Sequence, residues 1–346
     1  MRLIPDWETP KSTVLVYPRS IKSNESSNEV SREVLLPFYH QFIKTILRSN
    51  RKIQIDLLIQ RCDDDIINNV DPLTDLIQTL GVLSNRLNLH VMECEDIWVR
   101  DFGPFSCTMG TNYNFGFKFK YNPSYHKGQE PTIDNSAGWC MNFKFYPNSP
   151  LVQSKNEPIT WDGGNYTYNG NGTLIILDSI FRENPKWSKR LLIETIKNQF
   201  ELEEVIVLPT QVDDEIGHID GILRFISPTE IAIGTYTRRV EPEGQQYIDN
   251  LINLLKDKFS ILEVPSYIVP DKLGKSSIES AEGCYINFLR IGDTIIVPQF
   301  GNYRDRAVVD ILKSTGLNII PTTYTEDVVK LARFGGVFNC ITNYIY

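Results

Sequence analysis

Histidine is scarce in this chain, with four residues in 346, and methionine is no more frequent. The six cysteines, Cys62, Cys94, Cys107, Cys140, Cys284 and Cys340, are scattered without CxxC spacing. A zinc module needs thiolates and imidazoles in close sequence clusters, so no metal site is expected, and reduced thiols in a cytoplasmic protein fit best. Basic runs are missing as well: net charge is −8 and the isoelectric point about 5.2. That argues against nucleic acid as a partner, since no cationic footprint awaits a phosphate backbone. The same acidity is compatible with a small cationic substrate. No apolar run is long enough to cross a bilayer, and the opening MRLIPDWETPKSTVLVYP lacks the order of a secretory signal, so no membrane partner is expected. A homo-oligomer is allowed but nothing in the sequence calls for one.

What is present is the composition of a globular protein with a sizeable core, 41% hydrophobic and 23% charged. Residues 12–18 read as a first strand, 31–49 as a helix, 52–59 as a strand, 71–80 as a short helix and 87–93 as another strand. The stretch 108–160 shows strand-like alternation at 114–121 and 141–146 and no clear helix. Beyond it come a turn at Asn169-Gly170-Asn171-Gly172, a strand at 173–177 and a helix from about Pro185 to Phe200.

The last 150 or so residues repeat. A helix leads to an apolar strand ending in proline three times, and Pro209, Pro265 and Pro321 follow one another at intervals of 56 residues. After each comes a loop, a glycine and a short mixed segment: Gly217-His218-Ile219-Asp220, Gly283-Cys284-Tyr285-Ile286-Asn287 and Gly336-Val337-Phe338-Asn339-Cys340. Units of this size cannot bury their own apolar face, so they are expected to pack into a closed ring. Trp98–Phe105 and Trp161–Asn165 read as diverged counterparts from two earlier units. The expected fold is therefore an α/β-propeller of five pseudo-symmetric ββαβ-type units, one domain over residues 1–346. Asp101, Asp162, Asp220, Asn287 and Cys340 then hold related places and converge on one central site. His218-x-Asp220, read as part of a strand, puts both side chains on one face.

Carboxylates converging on one pocket repel unless a cation sits between them. A hard metal ion suits a thiol and a single histidine poorly. A planar guanidinium suits them well, because its fan of N–H donors pairs with carboxylates in charge-assisted contacts. A thiolate placed under the guanidinium carbon and a histidine at its edge allow attack, loss of ammonia and hydrolysis of the thiouronium. Taken alone, each piece also has an ordinary structural reading, whether surface ion pair, tight turn or buried thiol.

These motifs resemble the agmatine deiminase and Porphyromonas-type peptidyl-arginine deiminase family, within the guanidine-modifying penteins. The resemblance runs over nearly the whole chain. It rests on Tyr17-Pro18-Arg19, Trp98-Val99-Arg100-Asp101-x-Gly103-Pro104, Asp162-Gly163-Gly164-Asn165, Gly217-His218-Ile219-Asp220, Tyr285-Ile286-Asn287-Phe288, Ile296-Val297-Pro298 and Gly335-Gly336-x-x-x-Cys340-Ile341-Thr342. It implies Cys340 as nucleophile, His218 as acid and base, and Asp101 and Asp220 as guanidinium holders. Asp162 and Asn287 are implied as supports of the substrate site, Trp98 as its packing wall, and no cofactor. Three places depart from the agmatine branch: Asp162 where glutamate is usual, Asn339 where histidine usually precedes the nucleophile, and Tyr121–Tyr125 in place of a Trp-Gly-Gly loop. Arginines that would grip a substrate carboxylate are not evident. Agmatine is thus the expected substrate, giving N-carbamoylputrescine and ammonia. A peptidyl-arginine or arginine deiminase is the alternative, and a non-catalytic guanidine-binding or interaction protein on the same fold is a further one.

Overall fold

The computed structural model describes residues 1–18, 32–59, 72–110, 113–126, 131–147, 149, 158–269 and 280–346. The expected helix starts at Ser31 and Asp71, together with Arg19 and Cys62, lie outside them. Among the described residues the strands form five separate sheets. Strands β10 (Leu223–Ser227), β11 (Glu230–Thr235) and β12 (Ser260–Pro265) make one, and β13 (Leu289–Ile291), β14 (Thr294–Val297) and β15 (Asn318–Pro321) the next. β7 (Thr167–Tyr168), β8 (Thr173–Leu177) and β9 (Glu204–Leu208) repeat the pattern. In all three the first pair is antiparallel and the second parallel, with a helix crossing between the last two strands.

The repeat prolines now have a physical place. Pro265 is paired with Thr235 and Pro321 with Val297, each at the end of an outer strand. An outer strand leaves one side without a ladder, so a residue lacking N–H is tolerated there. The central strands read Glu-Ile-Ala-Ile-Gly-Thr and Thr-Leu-Ile-Ile-Leu, apolar on both faces because helices cover one side and neighbouring sheets the other. Helix Pro242–Leu255 starts with proline in its first turn and buries Ile248, Leu251 and Leu255 at helical spacing.

The fourth sheet joins the two chain ends. β16 (Asn343–Ile345) pairs antiparallel with β2 (Ser12–Val16), followed by β3 (Gln54–Ile59) and β4 (Leu87–Val91) in parallel. Over it lies helix Arg32–Ser49, whose Leu35, Phe38, Tyr39, Phe42, Ile43, Ile46 and Leu47 form one buried stripe. The fifth sheet is β1 (Arg2–Leu3), β5 (Phe105–Met109) and β6 (Tyr113–Phe117), with a lone parallel bridge from Lys120 to Thr160 where the other sheets have a third strand.

That fifth unit corrects two expectations. The 141–146 segment is not a strand, and 108–160 does contain a helix, Thr132–Phe145. Its buried residues are Asp134, Ala137, Gly138, Met141 and Asn142, of which only Ala137 and Met141 join the hydrophobic core, so no broad apolar stripe forms. A Cβ at Gly138 would lie 1.9 Å from the carbonyl oxygen of Phe102. A helix pressed this close to a neighbouring main chain leaves little hydrophobic periodicity to read. The helix expected from about Pro185 begins instead at Lys189, with the Ser188 hydroxyl accepting from the N–H of Leu191. A separate short helix, Ser179–Glu183, precedes it. His218-x-Asp220 is not on a strand either; Ile219–Gly221 is a 3-10 turn ahead of β10.

Candidate active site

Each sheet's first site-bearing strand is preceded by a short turn: Trp98–Phe102, Trp161–Asn165, His218–Gly221, Cys284–Phe288 and Asn339–Thr342. Hydrogen bonds join these five turns into a closed circle. The Asp101 carbonyl accepts from the N–H of Gly163 at 3.3 Å, and that of Gly164 from the N–H of Asp220 at 3.2 Å. The Asp220 carbonyl lies 3.5 Å from Asn287 Nδ2, the Asn287 carbonyl accepts from the N–H of Asn339 at 3.1 Å, and that of Cys340 from the N–H of Arg100 at 3.1 Å. Position in the repeat therefore becomes position around the circle.

Two glycine turns make the approach close enough. A Cβ on Gly164 would stand 2.5 Å from His218 Nδ1 and 2.8 Å from Asp101 Oδ1, and one on Gly163 1.9 Å from the Arg100 carbonyl oxygen. A Cβ on Gly336 would meet the Trp98 ring at 2.6 Å and Cys340 Sγ at 3.1 Å, so Trp98 and the thiol share one wall.

A cavity of about 350 Å³ opens inside the circle, and Trp98, Asp101, His218, Asp220, Asn287 and Cys340 all line it. Asp162 stands one layer back. Its Oδ2 is 3.2 Å from His218 Nε2 and accepts from the Tyr125 hydroxyl at 3.1 Å, while Oδ1 is buried without a partner among the described residues. His218 is held from both sides, since Nδ1 lies 3.6 Å from Asp101 Oδ1. Burial alone would lower the imidazole pKa; Asp101, Asp162 and Asp220 outweigh it and raise it to about 10. The same burial pushes the Asp101 carboxyl up, reinforced by Asp162 and Asp220 and opposed by His218 and the N–H of Gly164. Cys340 Sγ is 3.9 Å from Asp220 Oδ2, and the thiol pKa is driven well above its ordinary value by burial, then by Asp220 and Asp101. The Asn287 side chain opposes that rise in part through hydrogen bonding, and its Oδ1 accepts from the backbone N–H of Asn339 at 3.0 Å and of Cys340 at 3.3 Å, fixing the peptide that carries the thiol.

Four participants escape a reading of the sequence. Arg100 was visible only as half of an Arg-Asp pair, yet its buried guanidinium sits over the Tyr344 ring and donates to Asn339 from Nε and Nη2. Asn339 reads in the sequence as a substitution, not as a link. Tyr125 lies in the loop that departs from the agmatine branch, but nothing local says that its hydroxyl reaches Asp162. Cys284 is a second thiol on the cavity wall, donating to the Gly221 carbonyl at 3.2 Å, and burial raises it to about 12. Its signal was in the repeat, where it follows Gly283 as His218 follows Gly217. The described cysteines, Cys94, Cys107, Cys140, Cys284 and Cys340, are all free thiols.

A five-sheet ring with a thiol, an imidazole and carboxylates facing one central cavity defines a pentein, an α/β-propeller whose members include hydrolases of C–N bonds in linear amidines. The profile of the Porphyromonas-type peptidyl-arginine deiminases matches residues 2–345, and the chain belongs to that family. Among curated relatives, a Mycoplasma capricolum protein provisionally named agmatine deiminase is 26% identical over 294 residues, covering 74% of this chain and 76% of its own. An Enterococcus faecalis protein of the same provisional name is 24% identical over 307 residues, covering 75% and 77%. A cysteine-to-serine variant of Campylobacter jejuni agmatine deiminase with substrate bound superposes with a TM-score of 0.80 at 20% identity, covering 100% of this chain and 96% of the other. An Enterococcus faecalis agmatine deiminase structure gives 0.80 at 18% identity, covering 99% and 95%. No helix among the described residues is long and apolar enough to cross a membrane.

Proposed function

We propose that this chain hydrolyses agmatine to N-carbamoylputrescine and ammonia, acting as one catalytic unit over residues 1–346 in the cytoplasm. The observation that carries the reading is the cavity's charge. It is lined by Asp96, Asp101, Asp213, Asp214, Glu215, Asp220 and Glu282, and among the described residues no lysine or arginine lines it. An arginine substrate would bring its own carboxylate into that field at a cost, whereas agmatine presents a cation at each end. The names of the relatives point the same way.

Asp101 and Asp220 receive the guanidinium N–H groups, Trp98 flanks them, and Asp162 and Asn287 hold His218 and the Cys340 peptide. Arrival of the cation offsets the carboxylates that keep the thiol protonated, so binding itself favours the thiolate. The sulfur attacks the guanidinium carbon, and the tetrahedral adduct collapses as the imidazolium of His218 gives its proton to the departing nitrogen, releasing ammonia. The thiouronium on Cys340 is then attacked by water, one proton of which passes to His218; collapse breaks the C–S bond, the remaining hydroxyl proton leaves to solvent, and the ureido product is freed with the thiolate restored.

A second reading, deimination of an arginine side chain, draws on Asp162 standing where the agmatine branch has glutamate and on the matched family profile. The two separate on a substrate panel of agmatine, free arginine and a peptide ending in arginine, assayed for ammonia and ureido product. Turnover of agmatine that disappears in Cys340→Ala is the expected result. Turnover of the peptide without agmatine would replace the first reading by the second, and silence on all three in the parent would end both.

A further inference from the structure

Asn339 is buried, and its amide and peptide are all engaged. Its N–H donates to Asn287, and its carbonyl oxygen accepts from Arg100 Nε at 3.3 Å and from the Thr342 hydroxyl at 3.1 Å. The side-chain Oδ1 accepts from Arg100 Nη2 at 3.1 Å, and Nδ2 donates to Asp220 Oδ2 at 2.7 Å. The neighbours dictate which way the amide points, because a guanidinium can only donate and a carboxylate can only accept. One neutral side chain thus bridges a buried cation and a buried anion, each contact charge-assisted.

The bridged oxygen matters. Asp220 Oδ2 is also the carboxylate atom 3.9 Å from Cys340 Sγ. With Oδ2 tied to Asn339, Oδ1 is left without a protein partner among the described residues, on a side chain that lines the cavity. A carboxylate free to turn about its last bond would spread its charge over both directions. Held by the amide, it presents one oxygen to the cavity and keeps the other, already hydrogen-bonded, beside the sulfur.

We propose that Asn339 is a positioning residue for deimination: its amide fixes the Asp220 carboxylate for the guanidinium and couples it to the charge of Arg100. The inference rests on Asp220 as a guanidinium holder, so its test must separate the two claims. Asn339→Asp preserves size and the bond from Arg100 but removes the donor. The new carboxyl faces Arg100, Asp220 and the Cys340 thiol, with Asp101 across the cavity and Tyr344 beneath the guanidinium. At about pH 8, KM for agmatine is expected to rise roughly 10- to 100-fold with a smaller fall in kcat. The defect should shrink toward about pH 6, because a protonated carboxyl can donate to Asp220 again. Asn339→Ala should show the KM defect without that recovery.

Alkylation of Cys340 gives a readout that needs no turnover, comparing 2-chloroacetamidine, a cation, with neutral iodoacetamide. The parent should prefer the cation, and Asn339→Asp should lose roughly tenfold of that preference. A parent without preference would sink the guanidinium assignment of Asp220. A parent with preference and an Asn339→Asp protein with the same preference, KM and pH profile would leave that assignment standing and overturn the role of Asn339. An Asn339→Asp loss uniform in pH with KM unchanged would overturn it as well.

Discussion

The floor of the cavity and its rim are built by different means. On the floor, Asp101, Asp220, Asn287 and Cys340 sit on turns stitched to one another by hydrogen bonds, all between main chains except the one from Asn287 Nδ2, and Cys340 is only 9% exposed. The rim is loop: Val212 is 84% exposed, and its neighbour Asp213 adopts φ 68°, a left-handed conformation uncommon outside glycine. Glu282 leans in from another loop, its carboxylate accepting from the Tyr267 hydroxyl at 3.1 Å. In the proposed reaction the floor fixes which group reacts, since geometry there is determined by the whole ring, and the rim is left to meet the rest of the substrate, where it can change without disturbing the circle of bonds.

That division is most easily broken at His218. His218→Gln should lower kcat by about a thousandfold, with KM moving little, because proton transfer to the leaving nitrogen is lost. A loss below about tenfold would move the acid to another group. The same variant tests the electrostatics. An imidazole raised from 6.5 to about 10 adds stability that is complete below 6.5 and disappears as pH rises through 10. The melting temperature of the parent relative to His218→Gln should therefore decline steadily from about pH 6.5 to about pH 10. A constant difference would mean that Asp101 and Asp162 do not hold the ring charged. The smallest effect belongs to the rim. Glu282→Gln should raise KM for agmatine by about three- to tenfold, leave kcat within about twofold, and lose most of its effect in high salt. A fall in kcat of the same size would place Glu282 on the floor instead.

Much of this was legible beforehand because symmetry writes itself into the sequence. The 56-residue proline interval exposes three units, and placing Trp98 and Trp161 in two more leads to a ring. Asp101, His218, Asp220, Asn287 and Cys340 do meet there, while Asp162 stands behind His218 rather than in the cavity wall. What stayed hidden depends on contact rather than periodicity. Helix Thr132–Phe145 packs on backbone through Gly138 and offers no stripe. The pairing of β16 with β2 joins opposite ends of the chain. The reach of Arg100 through Asn339 to Asp220 spans three turns that no local pattern connects.

The central claim is that Cys340 carries the substrate carbon between two half-reactions. Acid-quenching the enzyme during agmatine turnover and mapping the adduct by peptide mass spectrometry tests it directly. An amidino adduct on the peptide containing Cys340, absent in Cys340→Ala, is the predicted result. An adduct on Cys284, the other thiol in the cavity wall, or turnover undiminished in Cys340→Ala, would contradict the account.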